Sequence, residues 1–156
     1  MDKLAVHRLG LRHKAVSVFV MDGEAMLLQR RATGKYHSGG LWANACCTHP
    51  RWGESDAACA RRRLREELGV TGLDPLLRGL VEYRADVGSG LTEHEVVALF
   101  VGRAGRGLAL APAPAEVQDT RWIGRAELAR EIAARPETFS PWLRIYLSGF
   151  AGRIYG

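Results

Sequence analysis

Residues 55 to 69, SDAACARRRLREELG, leave little choice of local structure. Ser55 is of the type that caps a helix start, and Asp56 puts a negative charge in the first turn. Ala57, Ala60, Leu64 and Leu68 recur at helical spacing, and Gly69 is a helix stop. The opposite face is crowded with arginine and glutamate. Taken alone, that face reads as a surface helix laced with ion pairs.

The segments around this helix read as strands. KAVSVFV (residues 14 to 20) is rich in valine and phenylalanine, Asp22-Gly23 is a two-residue hairpin signal, and AMLLQRR (residues 25 to 31) is the paired strand. TGKYHSGG is a loop by its glycines, and LWANACC (residues 41 to 47) a third short strand. LLRGLVEYRAD and TEHEVVALFVGRA are two strands around a Gly-Ser-Gly turn at residues 88 to 90. Residues 111 to 115 are a loop, VQDTRWI a strand, and GRAELAREIAARP a helix ended by Pro136. A last helix starts at Ser140-Pro141, with Trp142, Ile145 and Tyr146 on a shared face. The sum is an α+β chain, with helices against a mixed sheet in a single domain over residues 1 to 156.

At 47% apolar and 25% charged, the composition is that of a globular chain. A net charge of +5 favours anionic partners: nucleic acid, an acidic membrane surface or a phosphorylated small molecule. No apolar stretch approaches the roughly 20 residues of a membrane span, and no signal-peptide core is visible. Three cysteines, two of them adjacent, make a poor disulfide framework, so a reducing, cytoplasmic setting is expected.

Three features carry chemistry. The run WANACCTHP holds Cys46, Cys47 and His49, which read alone as a metal knuckle, a nucleophile with its base, or a small-residue buried strand. In TEHEV, Glu93 and Glu95 are two apart on a strand and share a face, while His94 points away. His7 and His13 precede the first strand. The three imidazoles and two carboxylates could form one mixed nitrogen and oxygen site for Mn²⁺, Mg²⁺ or Zn²⁺.

GESDAACARRRLREELGV resembles a Nudix box. Glu54, Arg62, Leu64, Glu66, Glu67, Gly69 and Val70 fall at its positions. Thr48 stands where its first glycine would be, and Arg63 replaces its first helix glutamate. The fold uses clustered helix carboxylates to hold divalent cations on a diphosphate. Exchanging one for a guanidinium weakens that cluster and adds a bidentate binder of diphosphate oxygens. Together with RRATGKYHSGGLWANACCTHPRWGES, EYRAD, TEHEV and SPWLRIYL, the chain resembles the type 1 isopentenyl diphosphate isomerases from about Lys3 to Tyr146.

That resemblance implies a Nudix-type α/β/α sandwich and interconversion of isopentenyl and dimethylallyl diphosphate without cleavage of the diphosphate. It implies Cys47 and Glu95 as catalytic proton carriers, with Tyr83 assisting. It implies Mn²⁺ (or Zn²⁺) held by His7, His13, His49, Glu93 and Glu95, and Mg²⁺ at Glu67 arriving with the diphosphate. Lys3, Arg31, Lys35 and Arg63 are the implied diphosphate binders, and Tyr83 and Trp142 the aromatics lining the hydrocarbon pocket. Cys46 and Cys59 are expected to be small buried residues. The expected partner is a small-molecule diphosphate, with no nucleic acid and no membrane span, for a monomer or weak homodimer whose amino-terminal arm is missing or short.

Two rivals make different predictions. A Nudix pyrophosphohydrolase acting on a nucleoside diphosphate derivative would release phosphate or nucleotide, and Arg63 argues against it. A basic RNA-binding or structural-zinc protein would need a second Cys or His pair, or aromatic stacking motifs, and has neither.

Overall fold

The computed structural model describes residues 2–156. Met1, where the expected domain begins, lies outside the described residues. The sheet is assembled on β1 (Arg12–Asp22), which is buried on both faces from Ala15 to Met21. Strand alternation sends Val16, Val18 and Val20 to one side, and Ala15, Phe19 and Met21 to the other. β1 runs parallel to β6 (Leu91–Arg103), in a register that starts at Arg12↔His94 and His13↔Glu95. β6 is in turn antiparallel to β5 (Leu76–Gly88), through a turn whose Ser89 has φ 56°.

β2 (Ala25–Arg31) follows the Asp22-Gly23 hairpin. It pairs with β1 only at Met21↔Met26 and Asp22↔Ala25 before the two strands diverge. The freed length of β1 pairs with β4 (Cys46–Thr48), antiparallel, with Ser17 opposite Cys47. β2 continues against β3 (Trp42–Ala43) and β7 (Val117–Gly124). The result is one mixed seven-stranded sheet.

Helices cover both faces. α2 (Asp56–Leu68) lays Cys59, Ala60, Leu64 and Leu68 on the Val16, Val18 and Val20 side. α3 (Arg125–Ala134), α4 (Pro141–Gly149) and α5 (Ala151–Tyr155) cover the other with Leu128, Trp142, Leu143, Tyr146 and Ile154. This is the expected α/β/α sandwich. The caps are those read from the sequence: Ser55 Oγ accepts from Ala58 N at 3.1 Å, and Ser140 Oγ accepts from Leu143 N at 3.3 Å.

Four local expectations are corrected. A helix, α1 (Lys3–Leu9), precedes the sheet where none was expected; Asp2 caps it and Gly10 closes it in the left-handed region. His13 lies within β1 rather than before the first strand. LWANACC is two strands, because the Asn44 amide leaves the ladder. It donates to Ser17 Oγ at 2.8 Å, Val18 O at 2.9 Å and Cys46 O at 3.2 Å. The helix expected to run to Pro136 stops at Ala134, and a 3-10 turn occupies Pro136–Thr138.

The end of α2 docks tightly on the 111-to-115 loop. Gly69 has φ 66°, and a Cβ built there would lie 2.6 Å from Ala111 Cβ and 2.8 Å from its carbonyl oxygen. Gly23 also has positive φ (58°) but faces open space. Gly69→Ala should therefore cost about 2–3 kcal/mol and Gly23→Ala about 1 kcal/mol. Urea denaturation of the two variants checks this, and equal losses would contradict the close approach at Ala111.

Candidate active site

The site grows from one row across three strands. β6 alternation turns Glu93 and Glu95 to the same buried face, 4% and 1% exposed, while His94 turns away and meets Glu82 at 2.8 Å. The sheet register sets His13 on one side of Glu95 and Tyr83 on the other. Tyr83 Oη lies 2.7 Å from Glu93 Oε1 and 3.0 Å from Glu95 Oε2. One phenolic proton thus serves two carboxylates.

The histidines arrive from four separate segments. His7 comes from α1 and is fully buried. Its Nδ1 lies 2.6 Å from the Lys3 carbonyl, and His13 Nδ1 lies 2.8 Å from the Leu11 carbonyl. A backbone carbonyl can only accept, so both rings carry a proton on Nδ1 and turn Nε2 to the carboxylates; burial opposes it, but the hydrogen bonds to Glu93 and Glu95 raise both imidazoles. His13 Nε2 and His49 Nε2 are 2.9 Å apart, and both face Glu95 Oε1, at 3.1 and 3.2 Å. His7 Nε2 and His37 Nε2 each lie 3.4 Å from Glu93 Oε2.

Ligand atoms of His7, His13, His49 and Glu95 lie within 4.8 Å of one another, and so do those of His7, His37 and Glu93. The five residues expected as one set therefore divide into two overlapping groups that share His7. Imidazole Nε2 atoms beside carboxylates, with Nδ1 of His7 and His13 held by carbonyls, form a donor set that fits a divalent metal ion. His49 Nδ1 is buried without a partner.

Electrostatics follow from burial and these partners. Burial alone would raise Glu93, but hydrogen bonds from His37, His7 and Tyr83 hold its carboxyl well below the usual carboxylate range. Glu95 is likewise held low by His13 and His49 against the effect of burial. Burial lowers His49. Burial pushes the Cys47 thiol well up, and the neighbouring Glu95 and Glu93 charges add to that.

β4 puts Cys46 among the residues under α2 and Cys47 on the opposite side, where it packs beside α4. Cys59 is also buried. Cys47 Sγ lies 3.8 Å from Tyr146 Oη. An inner pocket of about 30 Å³ brings Cys47, Glu67, Glu93, Glu95, Arg31 and Trp142 together. That is room for water rather than for a five-carbon chain. It shares walls with an outer cleft of about 470 Å³, rimmed by Lys3, Lys35, Arg51, Arg62 and Arg63.

Of the rim cations, Lys35, Arg51, Arg62 and Arg63 are paired with carboxylates. Arg63 reaches Glu66 at 2.9 Å, Glu67 at 3.3 Å and Glu116 at 3.5 Å. Lys35 is paired with Glu116. Burial, then the Arg63 and Lys35 charges, lower Lys3. The Arg31 guanidinium sits 5.0 Å above the Trp142 ring, so that indole face is covered by a cation here. Arg31 Nε, Arg63 Nε, Glu67 Oε2 and Trp142 Nε1 are buried without hydrogen-bond partners. With His49 Nδ1, five of the nine such atoms among the described residues thus lie where a charged ligand would meet them.

Every sequence-selected residue lies in or at these two connected spaces except Tyr83, which reaches them through its carboxylates. His37, Tyr146, Ser17 and Glu116 were not selected. Tyr146 had been placed on an apolar helix face, and nothing in a one-dimensional pattern pairs it with a cysteine 99 residues away. A single histidine in a glycine loop carries no spacing signal either.

Comparison with known proteins decides the family. The NUDIX domain model matches residues 11–143. A Cereibacter sphaeroides protein named isopentenyl-diphosphate Delta-isomerase is 63% identical over 99% of this chain and 88% of its own length. Proteins of the same name from Dinoroseobacter shibae and Ruegeria pomeroyi are 60% and 55% identical over 99% of this chain, and over 88% and 86% of their own lengths. The chain belongs to the isopentenyl-diphosphate Delta-isomerase family. Among solved structures, a Deinococcus radiodurans protein aligns with TM-score 0.70 at 18% identity, covering 92% of this chain and 83% of that one. A Burkholderia pseudomallei MutT NUDIX hydrolase aligns with TM-score 0.68 at 20% identity, covering 89% and 98%. At such identities these two share the fold with this isomerase-family chain.

Glu67 bears the cost of its position. It is 3% exposed, and burial raises its carboxyl although Arg63 and the Gln29 amide, 3.2 Å away, oppose the shift. A carboxyl raised in the folded state binds its proton more tightly there than when unfolded, so stability falls as pH climbs from the ordinary 4.5 through the raised value. Without metal or diphosphate, Glu67→Gln should raise stability at pH 8 by about 1 kcal/mol, or ~2–4 °C in Tm. The gain should vanish below pH 4.5. Thermal melts across pH test the sign; a variant less stable at pH 8 would show that the charged form is favoured here.

Proposed function

We propose that this chain interconverts isopentenyl and dimethylallyl diphosphate by protonation and deprotonation, as one domain spanning residues 1 to 156. The observation that carries the reading is that Cys47 and Glu95 line one small enclosed pocket behind a basic rim. An unactivated alkene is a very weak base, and adding a proton to its terminal carbon leaves a tertiary cation. Loss of a proton from the neighbouring carbon on the diphosphate side gives the isomer. The reaction therefore needs one group that gives a proton, another that takes one, and exclusion of water.

In this reading Cys47 and Glu95 are those groups, and the direction of reaction decides which one gives. Tyr83 donates to Glu95 and steadies its carboxylate. Lys3, Arg31, Lys35 and Arg63 bind the diphosphate oxygens. His7, His13, His49, Glu93 and Glu95 would hold Mn²⁺ (or Zn²⁺), and Glu67 the Mg²⁺ that comes with the diphosphate. When bound, the first ion fixes Glu95 and shifts its acidity. Trp142 offers its ring to the cation, worth on the order of 2 kcal/mol when desolvated. Arg31 leaves the indole as it turns to the diphosphate, which also enlarges the inner pocket.

Arg63 stands against hydrolysis, because it takes the place of a metal-binding carboxylate and instead neutralises Glu66 and Glu67. The three free cysteines suit a reducing, cytoplasmic setting. The enzyme is proposed to act as a monomer or weak homodimer.

Cys47→Ala and Glu95→Gln should each lower isomerisation by about 10²- to 10⁴-fold while diphosphate binding persists. Cys46→Ala should remain active. In heavy water, the wild-type product should carry deuterium by NMR. Full activity in Cys47→Ala would refute the assignment, and loss in Cys46→Ala would mean that the wrong face of β4 had been chosen.

A further inference from the structure

His37 stands apart from the histidines assigned above, yet it is built into the same cluster. It is 5% exposed, and its Nε2 lies 3.4 Å from Glu93 Oε2. Its far nitrogen, Nδ1, lies 3.2 Å from Ser38 Oγ. The Ser38 hydroxyl has a single proton and donates it to the Val87 carbonyl at 3.2 Å. Toward His37, therefore, Ser38 can only accept. His37 Nδ1 is thereby tied to the loop, and Nε2 is the ring nitrogen turned to Glu93.

His7 is fixed in the same sense by the Lys3 carbonyl, and its Nε2 faces the same carboxylate oxygen at the same 3.4 Å. Tyr83 meanwhile satisfies Glu93 Oε1. Two imidazole Nε2 atoms and one carboxylate oxygen are thus gathered within 4.8 Å in a buried space, the donor types of a cation site.

The loop is shaped to keep His37 there. Ser38 has φ 52°, a left-handed conformation rare for a residue with a side chain. A Cβ at the next residue, Gly39, would lie 2.8 Å from the Thr33 carbonyl. Trp142 meets the His37 ring edge-on at 5.7 Å between centroids. Strain of this kind persists only where surrounding contacts over-determine the position.

We propose that His37 is a fourth imidazole ligand of the cation held by His7, His13, His49, Glu93 and Glu95. This rests on the reading of those five as a metal site. The two sets share His7, and the cation would draw them into one coordination shell. Four imidazoles against two carboxylates tilt the site toward Co²⁺ and Zn²⁺ and away from Mg²⁺.

The test uses metal-free full-length protein titrated with Co²⁺, in competition with a chelator. Wild type, His37→Gln, His37→Ala and His13→Ala are compared, with circular dichroism confirming that each is folded. Both His37 variants should bind Co²⁺ at least about tenfold more weakly and show an altered visible d–d band, and His13→Ala should lose affinity similarly. In the Co²⁺-loaded wild type, proton NMR should show a paramagnetically shifted imidazole N–H signal that is missing in His37→Gln. If the His37 variants match wild type in affinity, band and shifted signals while His13→Ala does not, His37 is no ligand and the five-residue site stands. If none of the variants differs from wild type, the metal-site reading itself fails.

Discussion

The parallel pairing of β1 with β6 is the constraint on which the site depends. Its register puts His13 beside Glu95, and the β5–β6 register puts Tyr83 on the other flank. A slip of one residue in either pairing would send Glu93 and Glu95 to the outer face of the sheet and bring His94 inward. What resists the slip is the long apolar run of β1, buried on both faces between α2 and the carboxy-terminal helices. The chemistry is polar, but its alignment is set by valines and phenylalanine packing on two sides.

The same strand explains how the two halves of the site meet. β1 and β2 part company after two paired residues, and the opened edge of β1 receives β4. Asn44 makes the exchange possible by replacing ladder bonds with its side-chain amide, which reaches Ser17, Val18 and Cys46. β4 is then short enough to fit, and its two cysteines fall on opposite faces of the sheet. Cys47 comes to lie opposite Ser17, on the face that α4 covers with Tyr146 and Trp142.

Much of this was legible in the sequence, and the reasons differ by element. The α2 segment carried its own start, stripe and stop, and all three act in the structure as read. The Glu-x-Glu alternation survives because a strand has a fixed period. Lys3–Leu9 was not readable as a helix. Seven residues are too few for periodicity to show, and such a helix is stable only through what it packs on. LWANACC looked like one strand because side-chain replacement of backbone bonds at Asn44 depends on Ser17 and Val18, 27 and 26 residues earlier. The binding residues were reached through family resemblance. His37 was missed because its meaning lies in a Ser38 hydroxyl committed to Val87, a contact 49 residues distant.

Arg63 shows how one side chain redirects a shared framework. In the Nudix pattern its position belongs to a carboxylate, which would add to Glu66 and Glu67 in gathering cations on the helix. Here the guanidinium ties Glu66, Glu67 and Glu116 together, while Lys35 also binds Glu116. Negative charge on the helix is thereby reduced where a diphosphate would approach, and positive charge faces the cleft. In the proposed function such a surface would grip a diphosphate by its oxygens rather than surround it with metal-activated water. Gripping without cleaving is what a reaction at the hydrocarbon end requires, because the diphosphate then serves as an anchor. The buried carboxylates beside Cys47 are instead on β6, where Glu93 and Glu95 sit among histidines.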